Sequence, residues 1–230
     1  MQALLKPVAT LLLKRKRHNA LHISVKMGKN SNTAKLGELA KIRSGHPFRS
    51  KVEHSPSSWD HYVLQLKDVQ KESHIDLSHA AQVLMSNERS PHPLQPGDIL
   101  LRARGGYYYS ALFTADQPNV IAASQFFILS PTISRADPAY LCWFLNQPAS
   151  QQYFARNDSG SNIPMINKRA ISELPVTLPS LATQHKIAKI HQGWLQEKAL
   201  TEQLLHNREQ MVRGLCQEFI NQDSMNRDAS

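Results

Sequence analysis

Two regimes of hydrophobic patterning divide the chain. From Leu36 to Pro131 the apolar residues come in short alternating or continuous runs, each closed by glycine, proline, asparagine or serine, which is the mark of short strands. "HYVLQLKDVQ" (61–70) sets Tyr62, Leu64 and Leu66 against Val63, Gln65 and Lys67 and predicts one strand ending in a turn. "AKLGELAKIRSGHPFRS" predicts a short strand that enters a loop at Ser44-Gly45, and "HIDLSHAAQVLM" a loop leading to a second short strand or helix. "LQPGDILLRARGG" and "YYYSALFTAD" predict a hairpin interrupted at Gly105-Gly106. "NVIAASQFFILSPT" predicts another strand, most β-favouring from Phe126 to Leu129.

After Asp137 the period changes. "DPAYLCWFLNQPASQQYFAR" opens on Asp-Pro and carries Tyr140, Leu141, Trp143, Phe144 and Leu145, a buried helix. A loop, a short helix and a strand between Pro175 and Pro179 follow. Beyond Ser180 a proline-free helical run continues to about Asp223. In it Ile187, Ile190, Trp194, Thr201, Leu204, Met211 and Leu215 fall on steps of three and four, with Glu197 and Arg208 at the missing steps. The pattern resembles a coiled-coil face whose polar breaks would fix register, the alternative being an amphipathic helix packed on its own domain. Such a helix is ~60 Å long at ~1.5 Å per residue, more than the body can cover, so it is expected to project and meet another helix. Ile187, Ile190, Trp194, Leu204, Met211 and Leu215 are the expected dimerisation residues. The fold class is therefore α+β. A basic flexible arm (1–35) precedes a β-rich globular domain (36–180), a long spacer helix (181–223) and a flexible tail (224–230).

Charge changes this picture only locally. A net charge of +9 suggests a polyanionic partner. Lys6, Lys14, Arg15, Lys16, Arg17, Lys26 and Lys29 supply +7 of it with no acid in the first thirty residues, leaving +2 for the remainder. A nucleic-acid surface on the body must then be a patch. The basic segment suits a DNA-binding arm, and equally a leader ahead of a start at Met27. Its charges follow its apolar stretch, the reverse of a secretory signal. Cys142 and Cys216 lie far apart without metal-ligand spacing, which fits a reducing cytoplasm. No apolar run is long enough for a membrane span.

Catalytic motifs are missing from the sequence. It has no Gly-x-Gly-x-x-Gly, no Walker Gly-Lys-Ser/Thr, no Gly-x-Ser-x-Gly and, among eleven histidines, no His-Glu-x-x-His. His74, His79 and His92 read as solvated loop residues, and Cys142 as core packing. No catalytic residue, metal site or cofactor is expected. Basic, polar and aromatic residues gather instead at strand ends: Arg43, Ser44, His46, Arg49 and Lys51; Arg102, Arg104, Tyr107 and Tyr108; Gln125; Asn162 and Lys168. Arginine binds guanine and glutamine or asparagine binds adenine through two hydrogen bonds, while lysine and serine hold phosphates. Taken singly, each is also an ordinary solvated loop residue.

"LQPGDILLRARGGYYYSALF", "VIAASQFFIL", "DPAYLCWFLNQPASQQYF" and "GSNIPMINKRAISELPVTLPSLATQHKIAKI", in this order, resemble the target-recognition domain of type I restriction-modification specificity subunits. "GHPFRS" and "VLQLKDV" are similar to its opening strands, and the likeness covers about residues 36–215. Full-length members carry two recognition domains and two spacer helices; this chain carries one of each and resembles a half-length form. The resemblance implies a non-catalytic subunit that reads double-stranded DNA and directs a modification methyltransferase and a restriction subunit. Two half-length chains, identical or different, would pair through their helices and read a bipartite site. The competing expectation is a regulatory half-subunit that docks on the methyltransferase without reading DNA.

Overall fold

The computed structural model describes residues 32–48, 52, 58–70, 74–85, 92–159 and 164–228. Residues 1–31 of the arm expected over 1–35, the candidate contacts Arg49, Lys51 and Asn162, and the last two residues lie outside them. In chain order the elements are β1 (Asn32–Lys35), α1 (Leu36–Leu39), β2 (Ala40–Ser44), β3 (His61–Leu64), β4 (Val69–Gln70), β5 (His74–Ile75) and β6 (Ala81–Val83). They continue with β7 (Ile99–Arg102), β8 (Ser110–Leu112), β9 (Val120–Ala122), β10 (Phe126–Pro131), α2 (Pro138–Leu145) and α3 (Pro148–Arg156). Last come β11 (Asp158–Ser159), β12 (Met165–Ile166), α4 (Lys168–Ser172), β13 (Pro175–Leu178) and α5 (Leu181–Asp228).

A four-stranded antiparallel sheet, in the order β2-β10-β7-β8, carries the core on both faces. Side chains alternate across it. Ile99, Leu101 and Leu129 pack with Leu36, Leu39, Leu141, Leu145, Phe154 and Ile171 on the helical side. Leu100, Phe126 and Ile128 pack with Leu64, Val69, Phe113 and Val120 on the other. Burial on both sides is why β7 reads as a continuous apolar run. A second sheet, β6-β3-β9, joins β3 antiparallel to β6 and parallel to β9, with Val63, Ala81, Val83 and Ile121 as its own apolar cluster.

Several elements depart from the sequence pattern, each for a local reason. The strand expected over 61–70 stops at Leu64, because Gln65 and Asp68 close a capping box around the 3-10 turn Leu66–Asp68. The single strand expected around Phe126 is two strands in two sheets, parted by the turn at Ser124-Gln125. The helix expected from Asp137 is also two. Asp137 Oδ1 accepts from Tyr140 N at 2.7 Å to cap α2, and Pro148 opens α3 at its first turn, where a missing N–H costs nothing. Asn32–Lys35, assigned to the arm by pattern, pairs residue by residue with β13, from Asn32 opposite Leu178 to Lys35 opposite Pro175. Its Asn-Thr-Ala-Lys sequence is largely exposed and leaves no apolar signature.

The long helix is present as expected and extends to Asp228. Its first turns lie on α2. Gln184 and Ala188 are buried there, with Ile187, His191, Leu195 and Lys198 half-buried. From Thr201 to Gln222 every residue is exposed. Among the described residues no helix is long and apolar enough to cross a membrane.

Candidate nucleic-acid interface

Backbone hydrogen bonds gather the loops that carry the candidate residues at one end of the main sheet. Past β2, Gly45 N donates to Phe126 O at 2.9 Å and His46 N to Ala122 O at 2.7 Å. Past β7, Ala103 N donates to Gln125 O at 2.8 Å, and Ala103 O accepts from Ile166 N at 3.0 Å. Gly105 N donates to Pro164 O at 2.9 Å, and Arg104 forms an isolated bridge with Met165. The segments 44–46, 102–106, 123–125 and 164–168 therefore form one continuous rim.

Two glycine types shape that rim. Gly105 and Gly106 have φ of 93° and 75°, the left-handed region that lets the hairpin tip reverse. Gly45 is needed for closeness instead: a Cβ there would stand 2.1 Å from Ala123 O and 2.7 Å from Ala122 O. "RSGHPF" shows that glycine as a loop residue; the backbone it presses against, at Ala122 and Ala123, is 77 and 78 residues away and invisible in sequence.

Ser44, Arg104 and Lys168 on the rim and Tyr107 beside it are exposed, with His46 and Gln125 half-buried. Tyr107 is 73% exposed, and the Arg104 guanidinium has no partner among the described residues. The His46 ring packs edge-on against Phe48, centroids 4.9 Å apart. The Gln125 Oε1 is buried without a hydrogen-bond partner among the described residues.

Three candidates are placed elsewhere. Arg43 points away from the rim, donating to His92 O at 3.0 Å and Pro93 O at 3.2 Å and pairing with the buried Asp98 at 3.3 Å. It fastens the turn that launches β7. Arg102 folds back on the hairpin: its Nε donates to Arg104 O at 2.7 Å, and its guanidinium lies 5.5 Å from the Tyr109 ring centroid. Tyr109 in turn donates to Val69 O at 2.9 Å. Tyr108 is a core residue, 1% exposed. Its ring packs on Phe154 and its hydroxyl donates to Asp158 Oδ2 at 3.0 Å; burial, reinforced by that carboxylate, pushes the phenol up to about 12. The three tyrosines lie just before β8, with Tyr107 exposed, Tyr108 buried and Tyr109 half-buried. Cys142 is buried, as its apolar helix suggests. Among the described residues no cluster of metal-ligating side chains occurs.

Comparison with known proteins adds to this geometry. A family model described as the type I restriction modification DNA specificity domain matches residues 28–207. No curated protein sequence matches. The crystal structure of the HsdS subunit from Thermoanaerobacter tengcongensis is similar at a TM-score of 0.56 and 14% identity, over 79% of this chain and 46% of that one. A chain from a study of complex assembly and conformational transition of the type I R-M system is similar at 0.59 and 16%, over 90% of this chain and 49% of that one. The chain thus spans about half the length of these proteins and shares their fold.

Proposed function

We propose that this chain, which belongs to the family of type I restriction-modification DNA specificity domains, reads one half of a bipartite DNA site and does no chemistry of its own. The observation that carries the reading is the rim: separate loops, brought together by backbone bonds, present Arg104, Ser44, Tyr107 and Lys168 on one edge. Arg104 has the donor fork for guanine, and Ser44 and Lys168 suit phosphate.

Large apolar side chains on α5 support a second half of the proposal. Ile190, Trp194, Leu204, Met211 and Leu215 are all exposed, joined by Leu200, Leu205, Val212, Phe219 and Ile220. A helix so furnished calls for a partner helix. We assign that role to a second copy or another half-length chain, paired antiparallel so that the two bodies face two half-sites. A cytoplasmic methyltransferase supplied with S-adenosylmethionine, and a restriction subunit, would then be directed to the site.

The test is Arg104→Ala, with the cognate site first taken from methylome sequencing of cells carrying the chain and its methyltransferase. Cognate binding in a gel shift should weaken ~10-fold or more and random-DNA binding by less than ~3-fold. Equal losses on both DNAs would reduce Arg104 to a phosphate contact. Capture of the methyltransferase with no DNA bound at all would favour a docking half-subunit, for which the exposed face of α5 is the supporting feature.

A further inference from the structure

The exposed length of α5 can aim its body only if the joint at its base is stiff, and the joint is built around one amide. Gln184 is 1% exposed and is the only buried polar side chain described on that helix. Its Oε1 accepts from Asp137 N at 2.9 Å, and its Nε2 donates to Pro179 O at 2.9 Å and approaches Arg135 O at 3.5 Å. These partners belong to the connection between β10 and α2 and to the end of β13. Asp137 also caps α2 and lies 3.4 Å from His185 Nε2, one residue along α5. Tyr140 of α2 donates to Thr177 O of β13 at 2.6 Å, and Arg135 donates to Glu38 O at 2.9 Å.

An apolar side chain would seal this joint as well as glutamine does. A buried amide costs free energy unless both its ends are bonded, and here both are, tying the helix to the cap of α2 and to the end of β13. We infer that Gln184 is the positioning residue that fixes the angle between α5 and the recognition body. The lever makes this matter: from Gln184 to Gln222 the helix runs ~57 Å at ~1.5 Å per residue. A tilt of ~10° at the joint moves its far end by ~10 Å, about three base pairs at ~3.4 Å each. The consequence for DNA rests on the paired-helix reading above, while the angle itself belongs to a single chain.

Gln184→Met keeps the volume and removes the directional bonds. In the full chain, with Cys216→Ser, spin labels at Asp116→Cys and Glu209→Cys report body-to-helix distance when the labelled chain is diluted into unlabelled chain. Gln184→Met should broaden that distance distribution about twofold while DNA carrying one half-site binds unchanged, within ~2-fold, and discrimination between correct and altered half-site gaps falls ~10-fold. Tyr140→Phe, which loses only the hydroxyl bond to Thr177, should broaden it less and serves if the methionine variant does not fold. An unbroadened distribution in the folded variants overturns the inference. If wild type shows no dependence on the gap, the paired-helix reading fails instead, and the label distances still decide the role of Gln184.

Discussion

Gly45 shows how much of the rim depends on the absence of a side chain. Gly45→Ala sets a methyl 2.1 Å from Ala123 O, with Ala122 O at 2.7 Å, and both are backbone at the β9–β10 junction. Neither can swing aside, so the β2 end must part from the turn that holds Gln125. We expect a loss of ~3 kcal/mol in urea unfolding and loss of cognate binding. Gly106→Ala meets open space and only the positive φ, costing ~1 kcal/mol. Equal effects at both positions would show that the close approach does not matter. Polar residues at strand ends marked loops that the fold gathers at one end of the main sheet, and the partnerships of their side chains were not legible at this scale. Arg43 and Arg102 looked the same in sequence as Arg104, yet two of these guanidiniums are engaged by carbonyls, a carboxylate and a ring. Arg43 is engaged by atoms 49 and 55 residues away, His92 O and Asp98, while Arg102 is engaged within its own hairpin by Arg104 O and Tyr109.

Among the elements, α5 divides its labour between two faces. Gln184, Ala188, His191, Leu195 and Lys198 step by four and three and turn toward the body. Ile190, Trp194, Leu204, Met211 and Leu215 are spaced by four, ten, seven and four residues on another face and stay exposed. Hydrophobic periodicity found the second face readily. It missed the first, which consists of a glutamine, an alanine, a histidine and a lysine beside one leucine, and it set half-buried Ile187 in the exposed seam. The helix end over the body is packed through small and polar groups, and those carry no apolar signal. The exposed face has a direct test. Each leucine buried in a partnership contributes ~1.5–3 kcal/mol, so Leu204→Glu with Leu215→Glu should convert a dimer to monomer in analytical ultracentrifugation. The thermal midpoint of the body should stay within ~2 °C, because both side chains are solvated in the single chain. A wild-type chain that is already monomeric at all concentrations would remove the basis for homodimer pairing and leave a different half-length chain as the partner.

For the whole molecule, on the proposed reading, the distance between two recognition bodies is a property of the rod and the sequence recognised is a property of the rim. The structure keeps these apart physically: β2, β7 and β10 run between the rim at one end and, at the other, the joint where Leu39, Thr132, Arg135 and Gln184 meet. A change in the exposed part of α5 should then alter one quantity and spare the other. Duplicating residues 202–208 adds one heptad, which preserves the seam from Leu204 to Met211. It lengthens an antiparallel pair by ~10 Å, so the gap between half-sites should grow, by up to ~three base pairs, while each half-site keeps its sequence. Methylome sequencing of cells expressing the lengthened chain with its methyltransferase reads both quantities at once. A longer gap between unchanged halves supports a rod that measures and a rim that reads. An unchanged gap would mean that the DNA-bound bodies are spaced by something other than α5, and altered half-site sequences would mean that rim and rod are coupled through the joint.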